Sequence, residues 1–318
     1  MRTQSAKGRR PPGTVPVVAV VGATATGKSD LALDLAQALG GEVVNTDSMQ
    51  IYRGMDIGTA KLPPSQRRGI PHHLLDLLEV SEPATVAQFQ GWARDVVADC
   101  RGRGVVPVLV GGSALYTRAV LDRFEFPGTD PDLRRRLEDD LERLGAEALH
   151  DRLATLDPAA ASKVLPSNGR RVVRALEVNE LTGRFTADLP RHDYAYDHAV
   201  QIGLDIDRPV LDGRIEQRVE AMWRAGLVDE VSTLAARGLR EGRTASRALG
   251  YRQVLDFLAG GCTEQEAKQA TITGTRRFAR RQDSWFRKDP RVSWVGWDDP
   301  GRVDSALDAV ARVTTVPG

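Results

Sequence analysis

One segment near the N-terminus constrains the fold and the chemistry of this chain more than any other. It reads GATATGKS over residues 22–29 and fits the phosphate-binding (P-loop) pattern G-x-x-x-x-G-K-[ST]. A β-branched apolar run at 17–21 precedes it, and leucines four positions apart predict a helix that begins at Lys28. In such a loop, backbone N–H groups point at phosphate oxygens, Lys28 adds a positive charge and the Ser29 hydroxyl suits Mg²⁺. The predicted diphosphate-binding residues are Gly22, Ala23, Thr24, Ala25, Thr26, Gly27, Lys28 and Ser29.

The order of the remaining strands and helices indicates an α/β fold. Three more apolar runs predict strands, at residues 42–45, 105–110 and 200–206. Long helices are predicted over 208–239 and 263–287. Because strands that alternate with helices form parallel sheets through crossover connections, we expect a P-loop kinase-like parallel sheet with helices on both faces.

The middle of the chain has a different pattern. From residue 131 to about 183 no run is typical of a strand, and leucines recur at helical spacing. We therefore expect an all-helical insertion domain at 124–199, placed between the fourth and fifth strands. The P-loop catalytic domain would then comprise residues 15–123 and 200–318.

Composition narrows the class of protein and its compartment. The net charge of +1 over 318 residues gives no overall attraction to nucleic acid, so a basic surface has to arise locally. Cys100 and Cys262 have neither close spacing nor a histidine nearby in sequence, which disfavours a zinc site or disulfides and favours a cytoplasmic location. Since no apolar run approaches the roughly 20 residues of a membrane span, no membrane association is expected. Residues 1–14 are basic without an apolar stretch, which predicts a disordered tail.

The acidic residue at the expected sheet edge does not follow the strand that it follows in a nucleotide hydrolase. The run at 105–110 ends in Gly-Gly-Ser, where an NTPase usually has an aspartate that holds Mg²⁺ and organises water. The carboxylate follows the second strand instead, as Asp47. At the carboxyl edge of the sheet, Asp47 suits a general base acting on an acceptor beside the diphosphate. A helix-capping or Mg²⁺-orienting aspartate is the alternative for the same residue.

Seven motifs occur together along the chain and cover most of it. They are GATATGKS at 22–29, NTDSMQIYRGMDIGTAK at 45–61, PHHLLD at 71–76, VLVGGSALY at 108–116, RRVVRALEV at 170–178, RIEQRV at 214–219 and ALGYRQ at 248–253. Together they resemble the bacterial tRNA dimethylallyltransferases, also called tRNA isopentenyltransferases. The block DSMQIYRGMDIGTAK is the most specific, because generic P-loop kinases lack it. The chain departs from the family at Ser113, where threonine is more frequent, and in residues 1–14, which have no counterpart.

The resemblance implies transfer of a dimethylallyl group from its diphosphate to N6 of the adenosine 3′ to the anticodon, which gives N6-isopentenyladenosine. It also implies Mg²⁺ as cofactor, with Ser29 and Asp47 as metal ligands, and a monomeric enzyme that binds the tRNA anticodon stem-loop. Asp47 would accept the N6 proton. Thr24 and one arginine of the RIEQR segment, either Arg214 or Arg218, would bond to the oxygen between allyl and phosphate.

A further set of residues is predicted to contact RNA. The family's tRNA-contacting segments match 47–50 and 170–174, and residues 275–291 add seven Arg/Lys residues against two aspartates. On a helix, Arg276, Arg280 and Arg287 would form one stripe, and Arg277, Arg281 and Lys288 the next, beside Phe278 and Trp285. A solvated face over a core-facing aromatic pair is the alternative. The predicted tRNA-binding residues are Asp47, Ser48, Met49, Gln50, Ser113, Arg170, Arg171, Val172, Val173, Arg174, Arg252, Arg276, Arg280 and Arg281.

Three other functions share part of this pattern. Read alone, the P-loop is typical of ATP-binding proteins, and a small-molecule kinase could use Asp47 to orient a hydroxyl acceptor. A dimethylallyltransferase acting on free adenine nucleotides would share the P-loop and the chemistry. A non-enzymatic RNA-binding module would leave the complete P-loop without a role. The helical insertion and the basic C-terminal helix favour a macromolecular acceptor.

Overall fold

A computed structural model of the chain describes residues 14–186 and 192–315. The predicted basic tail at 1–14 therefore lies outside the described residues, apart from Thr14. The chain forms two compact units, which we call the sheet unit (residues up to Asp122 and from Tyr194) and the helical unit (Arg123–Asp193). In the part of the chain that the structure describes, no helix has both the length and the apolar character needed to cross a membrane.

The sheet unit is built on a parallel sheet whose central strand leads into the P-loop. The strands are β1 (Val17–Val21), β2 (Gly41–Asn45), β3 (His72–His73), β4 (Val106–Val110), β5 (Ala199–Asp205) and β6 (Val292–Gly296). Their order across the sheet is β3-β2-β4-β1-β5-β6, and every pairing is parallel. The carboxyl ends of β1, β2 and β4 thus lie at one edge, which is where open α/β sheets bind ligands.

Helices account for most of the remaining described residues. They are α1 (Lys28–Leu39), α2 (Val86–Gly102), α3 (Ala114–Leu121), α4 (Pro131–Leu144), α5 (Ala146–Leu156), α6 (Pro158–Ala161), α7 (Gly169–Thr182), α8 (Arg208–Arg224), α9 (Leu227–Ala235), α10 (Tyr251–Leu258), α11 (Glu264–Phe286) and α12 (Arg302–Thr315). Helices α4 to α7 belong to the helical unit, and the others belong to the sheet unit.

Alternate residues of β1 face two separate hydrophobic cores. Val17, Ala19 and Val21 pack in the core that contains residues of α2, α3 and α8 to α11, whereas Val18 and Val20 pack with α1 and α12. A strand that is buried on both faces has to be apolar throughout, which explains the continuous run at 17–21. The predicted α/β fold, a parallel sheet with helices on both faces, is confirmed.

One local prediction is wrong, and two short strands were not predicted. The single helix predicted over 208–239 is wrong, because Gly226 adopts φ +95° and separates α8 from α9. That left-handed backbone favours glycine and ends the helix. The short strands β3 and β6 were not predicted, since two histidines and a stretch interrupted by Ser293 lack a clear apolar run.

The helical unit has a core of its own. Asp130 caps α4 through bonds from two backbone N–H groups, and Pro131 occupies the first turn, so the start of α4 follows the usual sequence signals. The core is formed by leucine, valine and alanine side chains of the four helices, including Leu137, Leu149 and Leu153. The unit spans Arg123–Asp193, whereas the expected insertion extends to 199. Residues 194–199 lie with the sheet unit, where Ala195 N–H donates to Leu121 O at 2.7 Å.

Candidate active site

A cavity of about 1000 Å³ opens at the carboxyl edge of the sheet, and all of its lining residues belong to the sheet unit. It contains part of the P-loop, the segment after β2, and residues of α8, α10 and α11. Its charge is strongly unbalanced, with seven basic side chains against the acidic Asp30 and Asp47. A cavity of this kind attracts anions and concentrates them. The basic residues are Lys28, Arg214, Arg218, Arg247, Arg252, Arg277 and Arg281.

The P-loop turns sharply between β1 and α1. Gly22, Ala25 and Gly27 have φ values of +134°, +65° and +99°, in the region that favours residues without a branched side chain. Gly27 directly precedes α1, so the free N–H groups of the first helical turn lie at the cavity. This arrangement is suited to binding a phosphate group.

Two carbonyl groups of the P-loop are held by cations or hydroxyls. Thr26 Oγ1 donates to Ala23 O at 2.9 Å, and Lys28 Nζ donates to the same oxygen. Arg214 Nε donates to Ala25 O at 2.8 Å. These contacts offset the negative ends of two peptide dipoles beside the place where an anion would bind.

Asp47 is oriented by a compact turn at the end of β2. Its Oδ1 accepts from Met49 N–H at 2.8 Å, and its own N–H donates to Asn45 Oδ1 at 2.9 Å. Asn45 is buried and also donates to Asp47 O and Leu74 O, both at 3.0 Å. Asn45 therefore fixes the turn that carries Asp47. The second carboxylate oxygen of Asp47 remains available to the cavity. Asn45 was not predicted as a site residue.

The segment that follows Asp47 is a loop stabilised by its own polar groups. Gln50 Nε2 donates to Thr59 O at 3.1 Å, which draws the two ends of the loop together. Lys61 is buried, and its ammonium contacts Asp76 Oδ1 at 2.6 Å, Asp56 Oδ1 at 2.7 Å and Tyr52 O at 2.9 Å. The loop is thus organised around a buried cation, because three oxygens share one ammonium group.

A carboxylate from α9 holds the same loop from the other side. Glu230 accepts from three successive backbone N–H groups, those of Asp56, Ile57 and Gly58, at 3.1, 2.7 and 3.2 Å. The buried Tyr251 hydroxyl donates to the same carboxylate at 2.6 Å. A Cβ at Gly58 would lie 2.4 Å from the Tyr251 ring, so the motifs GMDIG and ALGYRQ pack directly together. Their role in this contact is structural.

The basic side chains at the P-loop end of the cavity influence one another. Burial and the neighbouring Arg218 lower the pKa of Lys28 to about 7, against a smaller opposing effect of Asp47. Burial likewise lowers the pKa of Arg218, with Asp47 opposing and Arg214 adding to the effect. Burial and mutual repulsion both disfavour the charged forms of these side chains. A bound anion offsets both effects, so the charged side chains bind an anion strongly.

The structure distinguishes the two arginines that the sequence left open. Arg214 is committed to the P-loop, with Nε bonded to Ala25 O and the guanidinium 4.4 Å from the centre of the Trp297 ring. The Arg218 guanidinium has no hydrogen bond to any residue within 14–186 or 192–315, and it lies in the cavity near Asp47 and Lys28. Arg218 is therefore the better placed of the two to bind a ligand.

Of the two arginine stripes predicted on α11, the one that contains Arg277 and Arg281 faces the cavity, and the one that contains Arg276 and Arg280 does not. Arg277 and Arg281 line the cavity together with Phe278, and Arg252 of α10 and Ser113 lie there as well. Arg276 is engaged elsewhere, in bonds to Asp212 O and Glu216. The remaining stripe residues are outside the cavity: Arg280 is within 3.9 Å of Asp212, and Arg287 pairs with Asp205 and Asp283.

The predicted RNA-contacting residues of α7 fall into two groups. Arg170 and Arg171 are exposed. Val172 and Val173 are buried in the core of the helical unit, so their side chains are not available for RNA contact. Arg174 bonds to Glu177 at 2.6 Å and to the carbonyls of Pro127 and Gly128. The predicted contact segment thus combines exposed arginines with residues that support the fold.

Two groups of side chains are relevant to metal binding. Ser29 and Asp47, the predicted Mg²⁺ ligands, both line the cavity. A second group, Glu42, His73 and Cys100, places its ligand atoms within 4.8 Å of one another. Arg103 donates to both Glu42 oxygens at 2.7 Å, and it lowers the pKa of Glu42 to about 2. This second group is closed as an ion pair and lies outside the cavity.

The remaining cavity residues show what sequence reasoning missed. Arg247 and Met222 line the cavity without having been predicted, and Gln282 bonds to the P-loop from α11. Their spacing relative to the P-loop carries no signal, because they come close only when α8, α11 and the segment before α10 pack together. Asp47, Ser48, Met49 and Gln50 all line the cavity as a contiguous segment.

Several known proteins are similar to this chain. A family model described as IPP transferase matches residues 50–289. A tRNA dimethylallyltransferase from a Nocardioides species is 65% identical over 301 residues, which cover 94% of this chain and 97% of the relative. A second tRNA dimethylallyltransferase, from Streptomyces coelicolor, is 61% identical over 303 residues, with coverage of 94% and 97%.

Solved structures give the same result. The full-length tRNA isopentenylpyrophosphate transferase of Bacillus halodurans has a TM-score of 0.70 at 40% identity, with 94% of this chain and 96% of that one covered. A eukaryotic dimethylallyltransferase acting on tRNA has a TM-score of 0.79 at 26% identity, with 93% and 77% covered. The chain therefore belongs to the IPP transferase family, together with these tRNA dimethylallyltransferases.

Proposed function

We propose that this protein transfers a dimethylallyl group from dimethylallyl diphosphate to N6 of the adenosine 3′ to the anticodon in tRNA. The observation that carries the proposal is the pairing, within one basic cavity, of P-loop residues that include Lys28 and Ser29 with Asp47 after the end of β2. The strand β4, where a hydrolase would have its metal-binding aspartate, is followed by Gly111, Gly112 and Ser113. Such a site is suited to diphosphate departure and to activation of an acceptor other than water.

The diphosphate would bind at the P-loop end. Backbone N–H groups at the start of α1, Lys28 and Arg218 are arranged around the space that its oxygens would occupy. When the bond between C1 of the allyl group and the ester oxygen breaks, the electron pair stays on that oxygen. Preorganised donors stabilise this developing charge, and Thr24 lies beside them in the cavity wall.

The acceptor nitrogen would approach from the Asp47 side. As N6 forms its bond to C1, it loses one proton, and the free carboxylate oxygen of Asp47 is the group that we propose takes it. Asn45 and the Met49 N–H hold the carboxylate in place for this role. The base has to leave the stack of the anticodon loop to reach the cavity, as in other enzymes that act on nucleobases.

Mg²⁺ is proposed as the cofactor. The Ser29 hydroxyl and Asp47 Oδ1, together with diphosphate oxygens, would form the hard oxygen set that Mg²⁺ prefers, which leaves the other carboxylate oxygen of Asp47 for the N6 proton; both side chains lie in the cavity wall. When bound, Mg²⁺ would neutralise part of the charge of the diphosphate.

The acceptor is proposed to be tRNA and not a free nucleotide. Arg247, Arg252, Arg277 and Arg281 extend the basic lining beyond the P-loop end, which gives more positive charge than a diphosphate alone requires. The exposed Arg170 and Arg171 of the helical unit are candidates for additional phosphate contacts. We propose that the protein acts on tRNA as a monomer, in the cytoplasm.

A reconstituted reaction tests this function. The purified protein would be incubated with Mg²⁺, dimethylallyl diphosphate and an anticodon stem-loop RNA with adenosine 3′ to the anticodon, and the nucleosides would be separated by mass. We expect one isopentenyl group on that adenosine and none when EDTA replaces Mg²⁺. Modification of free AMP at an equal rate would indicate a nucleotide acceptor, and ATP-dependent phosphorylation of a small molecule would indicate a kinase.

A further inference from the structure

The side chain of Gln282 connects α11 to the P-loop. Its Oε1 accepts from Thr24 N–H at 2.8 Å, and its Nε2 donates to Gly112 O at 2.8 Å. The side chain is buried, with 6% of the residue exposed. One amide group therefore joins the loops that follow β1 and β4, from a helix near the C-terminal end of the chain.

Gly112 provides the space that this amide requires. A Cβ at position 112 would lie 2.3 Å from Gln282 Nε2, and the nearest atoms after it would be Gln282 Cδ and Gly22 O. Any other residue at 112 would displace the amide from the P-loop. The Gly-Gly sequence after β4 therefore does more than stand in place of a hydrolase aspartate. Because Gly112 has no side chain, it leaves space for the Gln282 amide.

Gln282 contacts the backbone of Thr24, a P-loop residue that lines the cavity. The Thr24 side chain lies in the cavity wall, and its hydroxyl has no hydrogen bond to a protein group in the described ranges. The flanking residues are fixed through other contacts, with Ala23 O held by Thr26 and Ala25 O held by Arg214. The bond from Gln282 fixes the backbone N–H of Thr24 itself, and so limits the positions that its side chain can reach.

We propose that Gln282 is a positioning residue that holds the Thr24 hydroxyl toward the ester oxygen of the allyl diphosphate. The inference rests on the proposed function. As the C1–O bond breaks, the electron pair moves to the ester oxygen, and a hydroxyl donor there is more strongly bonded in the transition state than in the ground state. The backbone N–H groups of α1 and Lys28 bind the phosphates with or without this hydroxyl. Loss of Gln282 should therefore lower kcat and leave KM for the diphosphate nearly unchanged.

The test is a double-mutant cycle between Gln282 and Thr24. Gln282→Met keeps the volume and removes both hydrogen bonds, and Thr24→Ala removes the hydroxyl. We expect Thr24→Ala to lower kcat by about 100-fold, as for loss of one oxyanion donor, and Gln282→Met to lower it by about 10- to 100-fold through misplacement. If Gln282 acts through Thr24, the double variant should be within about 3-fold of Thr24→Ala alone.

A matched control separates this role from a general loss of stability. Gln90 Nε2 also donates to a backbone carbonyl, that of Ala119 at 2.6 Å, and Gln90 lies outside the cavity. Gln90→Met should keep the wild-type kcat. Thermal unfolding would be measured for every variant, and if Gln282→Met does not fold, Gln282→Asn, which is too short to reach both partners, replaces it in the cycle.

The outcomes are distinguishable. Wild-type protein that transfers no isopentenyl group to the stem-loop would overturn the proposed function and, with it, this inference. If the wild type is active but the kcat losses of Gln282→Met and Thr24→Ala multiply fully in the double variant, only the inference is overturned. A Gln282→Met variant with a raised KM for dimethylallyl diphosphate and an unchanged kcat would do the same, because Gln282 would then shape only ground-state binding.

Discussion

Binding of a diphosphate to this protein should take up a proton, and Lys28 is the group responsible. Burial and the nearby Arg218 lower the pKa of Lys28 to about 7. At pH 8 roughly a tenth of the molecules then carry an ammonium at this position, and at pH 6 roughly nine tenths do. A bound diphosphate favours the charged form and raises the pKa again. Affinity should therefore fall about tenfold from pH 6 to pH 8, with roughly 0.9 proton taken up per site at pH 8.

Titration calorimetry with inorganic diphosphate in two buffers of different ionisation enthalpy measures this uptake directly. Diphosphate itself also titrates in this range, so the variant Lys28→Arg is the matched control, because a guanidinium stays protonated throughout. The difference in proton uptake between the two proteins isolates Lys28. Equal uptake by wild type and Lys28→Arg at pH 8 would show that Lys28 is already charged before the anion binds, and the reasoning from burial would be refuted.

Three further predictions give separate tests of the site. Asp47→Ala should lower single-turnover transfer by about 10²- to 10⁴-fold with little change in tRNA affinity measured by filter binding; a large affinity loss at unchanged turnover would mean that Asp47 only reads the base. Arg281→Ala should weaken tRNA binding and reduce the slope of log affinity against log salt by about 1, whereas Arg276→Ala should leave that slope unchanged. Tyr251→Phe removes a bond to the Glu230 carboxylate and should lower the free energy of unfolding by about 1.5–3 kcal/mol in urea titrations. An unchanged urea midpoint would show that this buried bond contributes nothing.

The parts of the site that sequence predicts well are those encoded by neighbouring residues. The P-loop, its flanking strand and helix, and Asp47 at the end of β2 all follow from local patterns, because each depends on a few consecutive residues. The same holds for α11, which begins at Thr263 with a capping box to Glu266. These elements fix the sheet edge, and hence the place of the cavity.

Sequence does not predict which side chains of a helix face the cavity, even where the helix itself is predicted correctly. On α11, spacing alone groups Arg276 with Arg280 and Arg277 with Arg281, but it gives no preference for which pair meets the cavity. Packing against α8 decides this, since Arg276 bonds to Asp212 O and so turns its stripe away. The proximity of His73 to Cys100 was missed for a similar reason, because both meet at Glu42: His73 when β3 pairs with β2, and Cys100 from α2.

The same reasoning explains what the long block at 45–61 contributes. Of its polar residues, Asp47 alone is proposed to carry chemistry on the reacting group, while Asn45, Lys61 and the N–H groups at 56–58 are used within the fold. Glu230 and Gln282 reach this loop and the P-loop from α9 and α11, across 173 and 258 residues of sequence. Such ties are needed because an irregular loop has no hydrogen-bond ladder of its own to resist displacement, and a shift of about 1 Å at a reacting group can cost about 100-fold in rate. Asp47 alone would thus be insufficient for catalysis. Its carboxylate has to be held in place by the surrounding loop, and most of the distinctive sequence around Asp47 encodes that loop.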